Sequence, residues 1–227
     1  MLYEQLSGPG RVCYGVEVMV RSDVQLMLGV KRGDEASFEL LLRRYRTPLC
    51  HFLNRMVRDQ ALAEDLAQEV FLRVYRARRD YVPSAKFTTW MFRIATNLAL
   101  NALRDSRHRQ SELSLDAPAE AEDGSEVPLD VPDGAPRVEQ QLVENERVAA
   151  IRRAIYALPE KQRAAVLLHK YQEMDYDQIA HILGCSVSAL KSLLFRAYEV
   201  LRVELAPLVA PAVSGPGPGG TIEGGKP

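Results

Sequence analysis

Apolar positions along the chain recur at three- and four-residue intervals, and nowhere do they alternate as a strand requires, so helices are expected throughout. Asp23 stands before a short apolar run ending at Val30, with Gly33 as a stop and Asp34 as the next helix cap. From Ala36 to about Met56, Phe38, Leu41, Leu42, Tyr45, Leu49, Phe52 and Leu53 fall at helical spacing, and Pro48 should kink or split that helix. Asp59 then caps a helix to about Arg78 whose inner stripe reads Leu62, Leu66, Val70, Val74. The turn Tyr81-Val82-Pro83-Ser84 leads into a fourth helix, about Thr88 to Arg107, with Phe87, Trp90, Ile94 and Leu98 roughly on one side.

Residues 111–138 break this pattern. They hold four prolines, two glycines and eight acids against one arginine, too little apolar surface to offset the entropy of ordering. The expected organisation is a leader (1–21), a helical domain (22–110), an acidic linker (111–137), a second helical domain (138–205) and a Pro/Gly-rich tail (206–227). Gly8-Pro9-Gly10 and the lack of a helical stripe make the leader dispensable by expectation, with Met19 an alternative translation start to Met1.

Charge sharpens the division. The chain totals −1, yet 23–110 carries 16 Lys/Arg against 10 Asp/Glu, 111–138 one against eight, and 139–206 nine against nine. A basic block beside an acidic one suits a polyanion-binding domain with a separate linker, although acids also serve simply to keep a linker solvated. Three cysteines, Cys13, Cys50 and Cys185, are too few and scattered for a disulfide framework or zinc site, and a reducing cytoplasm fits them best. No apolar run reaches the roughly 18 residues of a membrane span, and the first residues lack a secretory pattern, so no membrane insertion is expected. Cys50 beside His51 could suggest a thiol hydrolase, but neighbours on a helix point apart and no orienting acid accompanies them. His108, His169 and His181 lack metal spacing. No catalytic residue, cofactor or metal is expected.

The sharpest local signal lies in DYDQIAHILGCSVSALKSLLFRAYEVL. Asp175 and Gln178 form a capping-box pattern before Ile179, Ala180 and Leu183. Gly184 supplies a tight turn, and Ser186 caps a second helix with Leu190 and Leu194 inside. Helix, glycine turn and helix make a helix-turn-helix, whose second helix enters the major groove. Ser186, Ser188, Lys191, Ser192, Phe195 and Arg196 are the residues available to bases and phosphates.

The run ALPEKQRAAVLLHKYQEMDYDQIAHILGCSVSALKSLLFRA resembles the −35-reading region of extracytoplasmic-function RNA polymerase sigma factors. AEDLAQEVFLRVYR (63–76) resembles that family's polymerase-binding helix, and FTTWMFRIATNLALNALR (87–104) its promoter-melting and −10-reading helix, in the family's order and spacing. The resemblance implies an all-α fold of two small helical domains and promoter recognition without catalysis. Its implied partners are core RNA polymerase, promoter DNA and an anti-sigma factor. It implies that Asp65, Gln68, Glu69 and Arg73 meet polymerase, and that Lys86, Arg93, Asn97, Asn101 and Arg104 read the −10 element, with loop 81–86 receiving a flipped base. The family's two elements lie about 25 base pairs apart, roughly 80 Å at 3.4 Å per step. The chain departs from the family at Leu193 and Tyr198, where a basic residue is usual, which should weaken phosphate contacts. A free-standing helix-turn-helix regulator is the alternative, and it would leave the 63–76 and 87–104 resemblances coincidental.

Overall fold

The computed structural model describes residues 21–113 and 138–209, with side chains over 21–109 and 144–208, and every regular element among them is helical. The leader up to Val20, most of the linker and the tail beyond Val209 lie outside the described residues, and with them the expectations for those segments.

The first unit is built from four helices, starting with α1 (Asp23–Lys31). Its cap is Ser22 rather than the expected Asp23: the Ser22 hydroxyl accepts from the Gln25 amide, and the Gln25 side chain accepts from the Ser22 amide at 2.9 Å. Asp23 instead occupies the first helical position, where a negative charge suits the helix N-terminus. Its carboxylate accepts from the Arg44 guanidinium and, at 2.5 Å, from the Tyr45 hydroxyl, tying α1 to α2 (Glu35–Val57). Burial, then the Asp23 carboxylate, push the Tyr45 phenol well above its ordinary pKa. Gly29 marks the crossing of α1 and α2, since a Cβ there would sit 2.4 Å from Ser37 Oγ. Asp34 caps α2 as expected, accepting from the Ser37 amide.

Pro48 does not split α2, which runs unbroken for 23 residues. Leu49, Phe52, Leu53 and Met56 beyond the proline are all buried, and this packing offsets the lost backbone hydrogen bond. Asp59 caps α3 (Gln60–Arg76), and a 3₁₀ turn (Ala77–Arg79) follows. The stripe of α3 is rotated from the expected one. Ala63, Ala67, Val70, Phe71 and Val74 are buried, whereas Leu62 and Leu66 are half-buried flanks. The two alanines leave room for a neighbouring helix, and the leucines close the seam on either side.

The chain reaches α4 (Phe87–Leu113) through a loop anchored by Lys31 Nζ, which donates to the Tyr81 carbonyl at 2.9 Å. This helix is longer than expected, and Phe87, Met91, Phe92, Ala95 and Ala99 are its buried side. Phe92 meets Phe52 edge-on, ring centroids 5.2 Å apart. Trp90, Ile94 and Leu98 are half-buried, with Trp90 packed on Tyr81 and Phe87.

The second unit holds α5 (Val138–Ala157), α6 (Glu160–Tyr171), α7 (Tyr176–Leu183), α8 (Val187–Glu204) and a closing turn, α9 (Ala206–Val209), where the sequence suggested tail. Pro159 stands at the N-cap of α6, where its missing amide costs nothing. Asp175 and Gln178 form the expected capping box, Gly184 takes the left-handed conformation (φ 63°) that ends α7, and Ser186 caps α8. Ile182, with Ile179 and Ala180, is buried inside α7, while Leu183, expected on that face, is half-buried. The two units are packed together, α7 along α4 and α6 against α2.

Candidate nucleic-acid and protein interfaces

The clearest candidate for a nucleic-acid element is the α7–α8 pair. The two helices bend 96° from one another across a three-residue turn, within the range of helix-turn-helix motifs. Leu190, Leu194, Ala197 and Leu201 seat α8 on the core. Ser186, Ser188, Lys191, Ser192, Phe195 and Arg196 all remain exposed along its outer side, as the sequence suggested. Phe195 is 66% exposed, far more than an aromatic side chain would be if its role were packing. Ser186 Oγ accepts from the Ala189 amide, and Ser192 Oγ donates to the Ser188 carbonyl, both at 3.2 Å.

Leu193 and Tyr198, where the resemblance leads one to expect cations, are turned away from that face. Both are half-buried against the core, and the Tyr198 hydroxyl shares a 2.7 Å hydrogen bond with His169 Nδ1. Burial, with nearby Lys170, holds the His169 imidazole below its ordinary pKa. Burial also raises the Tyr198 phenol. These are packing positions.

On α4 the side chains of Arg93, Asn97, Asn101 and Arg104 form an exposed polar strip, with Lys86 exposed in the preceding loop. Arg104 Nη2 donates to Asn101 Oδ1 at 3.1 Å, which sets the two as a unit. Such a strip offers amides to base edges and guanidinium groups to guanine or phosphate. The Tyr81 ring is buried beneath Trp90 with no partner for its hydroxyl, whereas Val82 to Lys86 are exposed.

Asp65, Gln68 and Arg73 are exposed on α3, and Glu69 is half-exposed beside them. Arg73 Nε donates to Glu69 Oε1 at 2.7 Å, a contact that holds the Glu69 carboxyl below its usual range. Beside this face a groove of about 830 Å³ opens between α2 and α3, lined by Phe38, Leu42, Cys50, Phe71, Leu72 and Gln68 among others. Leu72 is 48% exposed at its rim. Apolar walls with polar groups at the edge suit a protein partner better than nucleic acid. Cys50 is part of the groove lining, and burial pushes its thiol upward.

A second groove, about 770 Å³, lies between α5, α6 and α8, with Ile155, Val166 and Leu201 as walls and Lys170 and Arg202 at the rim. Neither the grooves nor the junction between units was read from the sequence. Exposed Leu72 was the one trace of the first groove, and the tyrosines Tyr171 and Tyr198, which line the second, carry no pattern that separates them from core. No cluster of His, Cys, Asp and Glu able to hold a metal exists among the described residues, and no single helix there is long and apolar enough to cross a membrane.

Comparison with known proteins follows the same division. The family model for Sigma-70 region 2 matches residues 41–109, and that for Sigma-70 region 4 matches 149–201. The RNA polymerase sigma-H factor of Pseudomonas aeruginosa is 33% identical over 84% of this chain and 97% of its own length. The ECF RNA polymerase sigma-E factor of Escherichia coli is 31% identical over 83% of this chain and 96% of its own. Two solved structures share the fold. CnrH, in complex with the cytosolic domain of CnrY, matches with a TM-score of 0.57 and 21% identity over 82% of this chain and 99% of its own. The sigma factor RpoE of Bartonella quintana, in complex with the anti-sigma factor NepR, matches with a TM-score of 0.57 and 22% identity over 74% and 96%.

Proposed function

Because the chain belongs to the extracytoplasmic-function class of sigma-70 RNA polymerase sigma factors, we propose how its own residues divide the work of promoter selection. Asp65, Gln68, Glu69 and Arg73, with exposed Leu72 and the α2–α3 groove beside them, meet core polymerase. Lys86, Arg93, Asn97, Asn101 and Arg104 read and hold open the −10 element, and a flipped base enters beside loop 81–86, where pocket contacts offset about a few kcal/mol of lost stacking. On α8, Lys191 and Arg196 reach guanine or phosphate, Ser188 and Ser192 hydrogen-bond to either, and Phe195 contacts a thymine methyl.

The domain boundaries follow at about 22–110 and 138–205. The acidic 111–137 segment suits polymerase channels whose basic walls otherwise carry nucleic acid. The chain supplies recognition and leaves catalysis to the polymerase, which places its work in the cytoplasm. An anti-sigma factor is a further partner by this reading, as NepR is for the sigma factor RpoE of Bartonella quintana. It would compete for the α2–α3 groove.

One observation supports the reading: an apolar groove with a polar rim, an exposed polar strip and an exposed face on the second helix of a helix-turn-helix stand in one chain in the order the work requires. A free-standing regulator needs only the last of these. Co-purification separates the two: the chain should co-elute with core polymerase in the absence of DNA, and failure to do so would favour the regulator.

A further inference from the structure

Loop 81–86 is held at both ends and open between them. Tyr81 is 6% exposed and Phe87 2%, whereas every residue from Val82 to Lys86 is exposed. At the far end the Phe87 ring packs on Tyr45 and Trp90, with centroids 5.5 and 6.0 Å away. At the near end the Tyr81 ring lies 5.5 Å from Trp90. Its hydroxyl is buried without a partner and so contributes no hold. What remains is its carbonyl, which accepts from Lys31 Nζ at 2.9 Å.

That bond sets more than one atom. A peptide unit is planar, so holding the Tyr81 carbonyl holds the plane that joins Tyr81 to Val82 and the direction in which the loop departs. The rest of the loop has little freedom of its own. Val82 precedes a proline and is restricted to extended conformations, Pro83 has a fixed φ, and the Ser84 amide donates to the Val82 carbonyl at 2.8 Å in a tight turn. The loop therefore swings as one piece about the plane that Lys31 grips. Lys31 grips it from a firm base. Asp23 ties the start of α1 to Arg44 and Tyr45, Gly29 presses on Ser37, and Leu26, Met27 and Val30 are buried. A cation also suits the last turn of a helix, and a charged donor makes the stronger hydrogen bond.

We propose that Lys31 is a positioning residue for −10 base choice: by holding the Tyr81 carbonyl it fixes loop 81–86 against α4, and with it the shape of the pocket that the flipped base enters. This inference rests on the functional reading above. Lys31 itself touches no base and acts through the loop. A pocket of one shape discriminates among bases, while a loop free to swing accepts several. Loss of the anchor should therefore relax choice at one position and leave the polar strip of α4 to work as before.

The test is open-complex formation by holoenzyme on a promoter that the chain directs, with each −10 position changed in turn to all four bases and −35 variants alongside. Lys31→Met keeps the length of the side chain and removes the donor. It should flatten the preference at one −10 position about tenfold, within the range a single base pair contributes, and leave the −35 preferences unchanged. Lys31→Arg, which can still donate, should restore the preference. Arg32→Met removes the neighbouring exposed charge without touching the loop and should keep every preference. Preferences are ratios, so a variant that merely folds less well lowers all complexes alike and leaves them unmoved. That even loss, full retention of preference in Lys31→Met, or the same flattening in Arg32→Met would overturn the role of Lys31 while the functional reading stands. A parent chain that directs polymerase to no promoter would overturn both.

Discussion

Arg73 and Glu69 are paired on the outer side of α3, Nε to Oε1 at 2.7 Å, one turn of helix apart and next to the groove that α2 and α3 form. The pair is exposed, so its place there contributes little to folding. It does fix the position of a cation and an anion on a surface otherwise bordered by Gln68 and Leu72, and fixed charges at a rim govern which partner docks.

Asp65→Arg or Gln68→Ala should therefore weaken polymerase binding and leave the fold intact. Both side chains are exposed, so stability should move by no more than about 0.5 kcal/mol. Circular dichroism with a core-polymerase binding titration checks both halves. Lost helicity, or unchanged affinity, would show that this face has another role.

On α8 two substitutions should separate two kinds of contact. Lys191→Ala should weaken binding across all sequences and lower the salt slope by about one, as loss of a phosphate contact does. Phe195→Ala should leave the slope alone and relax discrimination at one base pair by about 1–3 kcal/mol. Titrations of holoenzyme against −35 variants at several salt concentrations measure both quantities. A Phe195→Ala protein with unaltered base preference would remove Phe195 from the reading face.

Trp90 tests whether packing or DNA claims the lone tryptophan. Its ring lies 5.5 Å from that of Tyr81 and 6.0 Å from that of Phe87. Trp90→Ala should cost about 2–3 kcal/mol by chemical denaturation, less than a fully buried aromatic because the ring is half-exposed. Asn97→Ala, on the exposed strip, should cost almost nothing while reducing open-complex formation. The reverse pattern would move Trp90 into the DNA site.

Much of this was legible in the chain because the signals were local. Asp34, Asp59, Asp175 and Ser186 each cap the helix that follows them, and Gly184 ends α7 in the conformation that glycine favours. The misreadings share one cause: local pattern cannot see tertiary partners. Asp23 has the chemistry of a cap but is drawn to Arg44 and Tyr45, leaving Ser22 to cap. Pro48 reads as a break until the buried residues beyond it are counted. The α3 stripe looks leucine-centred, yet a closely packed seam prefers Ala63 and Ala67. Arg163 gave no sign at all, since a single arginine in a charged stretch reads as surface until Met56, 107 residues away, is found beside it.

The acidic segment should act on initiation rather than recognition. Neutralising Glu120, Glu122, Asp123 and Glu126 to their amides or to serine should alter the ratio of abortive to full-length transcripts. Promoter affinity should change little. Unchanged yields of both products would reduce the acids to a solubilising role.

The most direct measurement is run-off transcription with purified core RNA polymerase on fragmented genomic DNA, with the 5′ ends of the transcripts sequenced. With the chain present, discrete start sites should emerge, preceded by two shared elements about 25 base pairs apart, and Asp65→Arg should abolish them. Transcripts with the same scattered ends whether or not the chain is added would contradict the account.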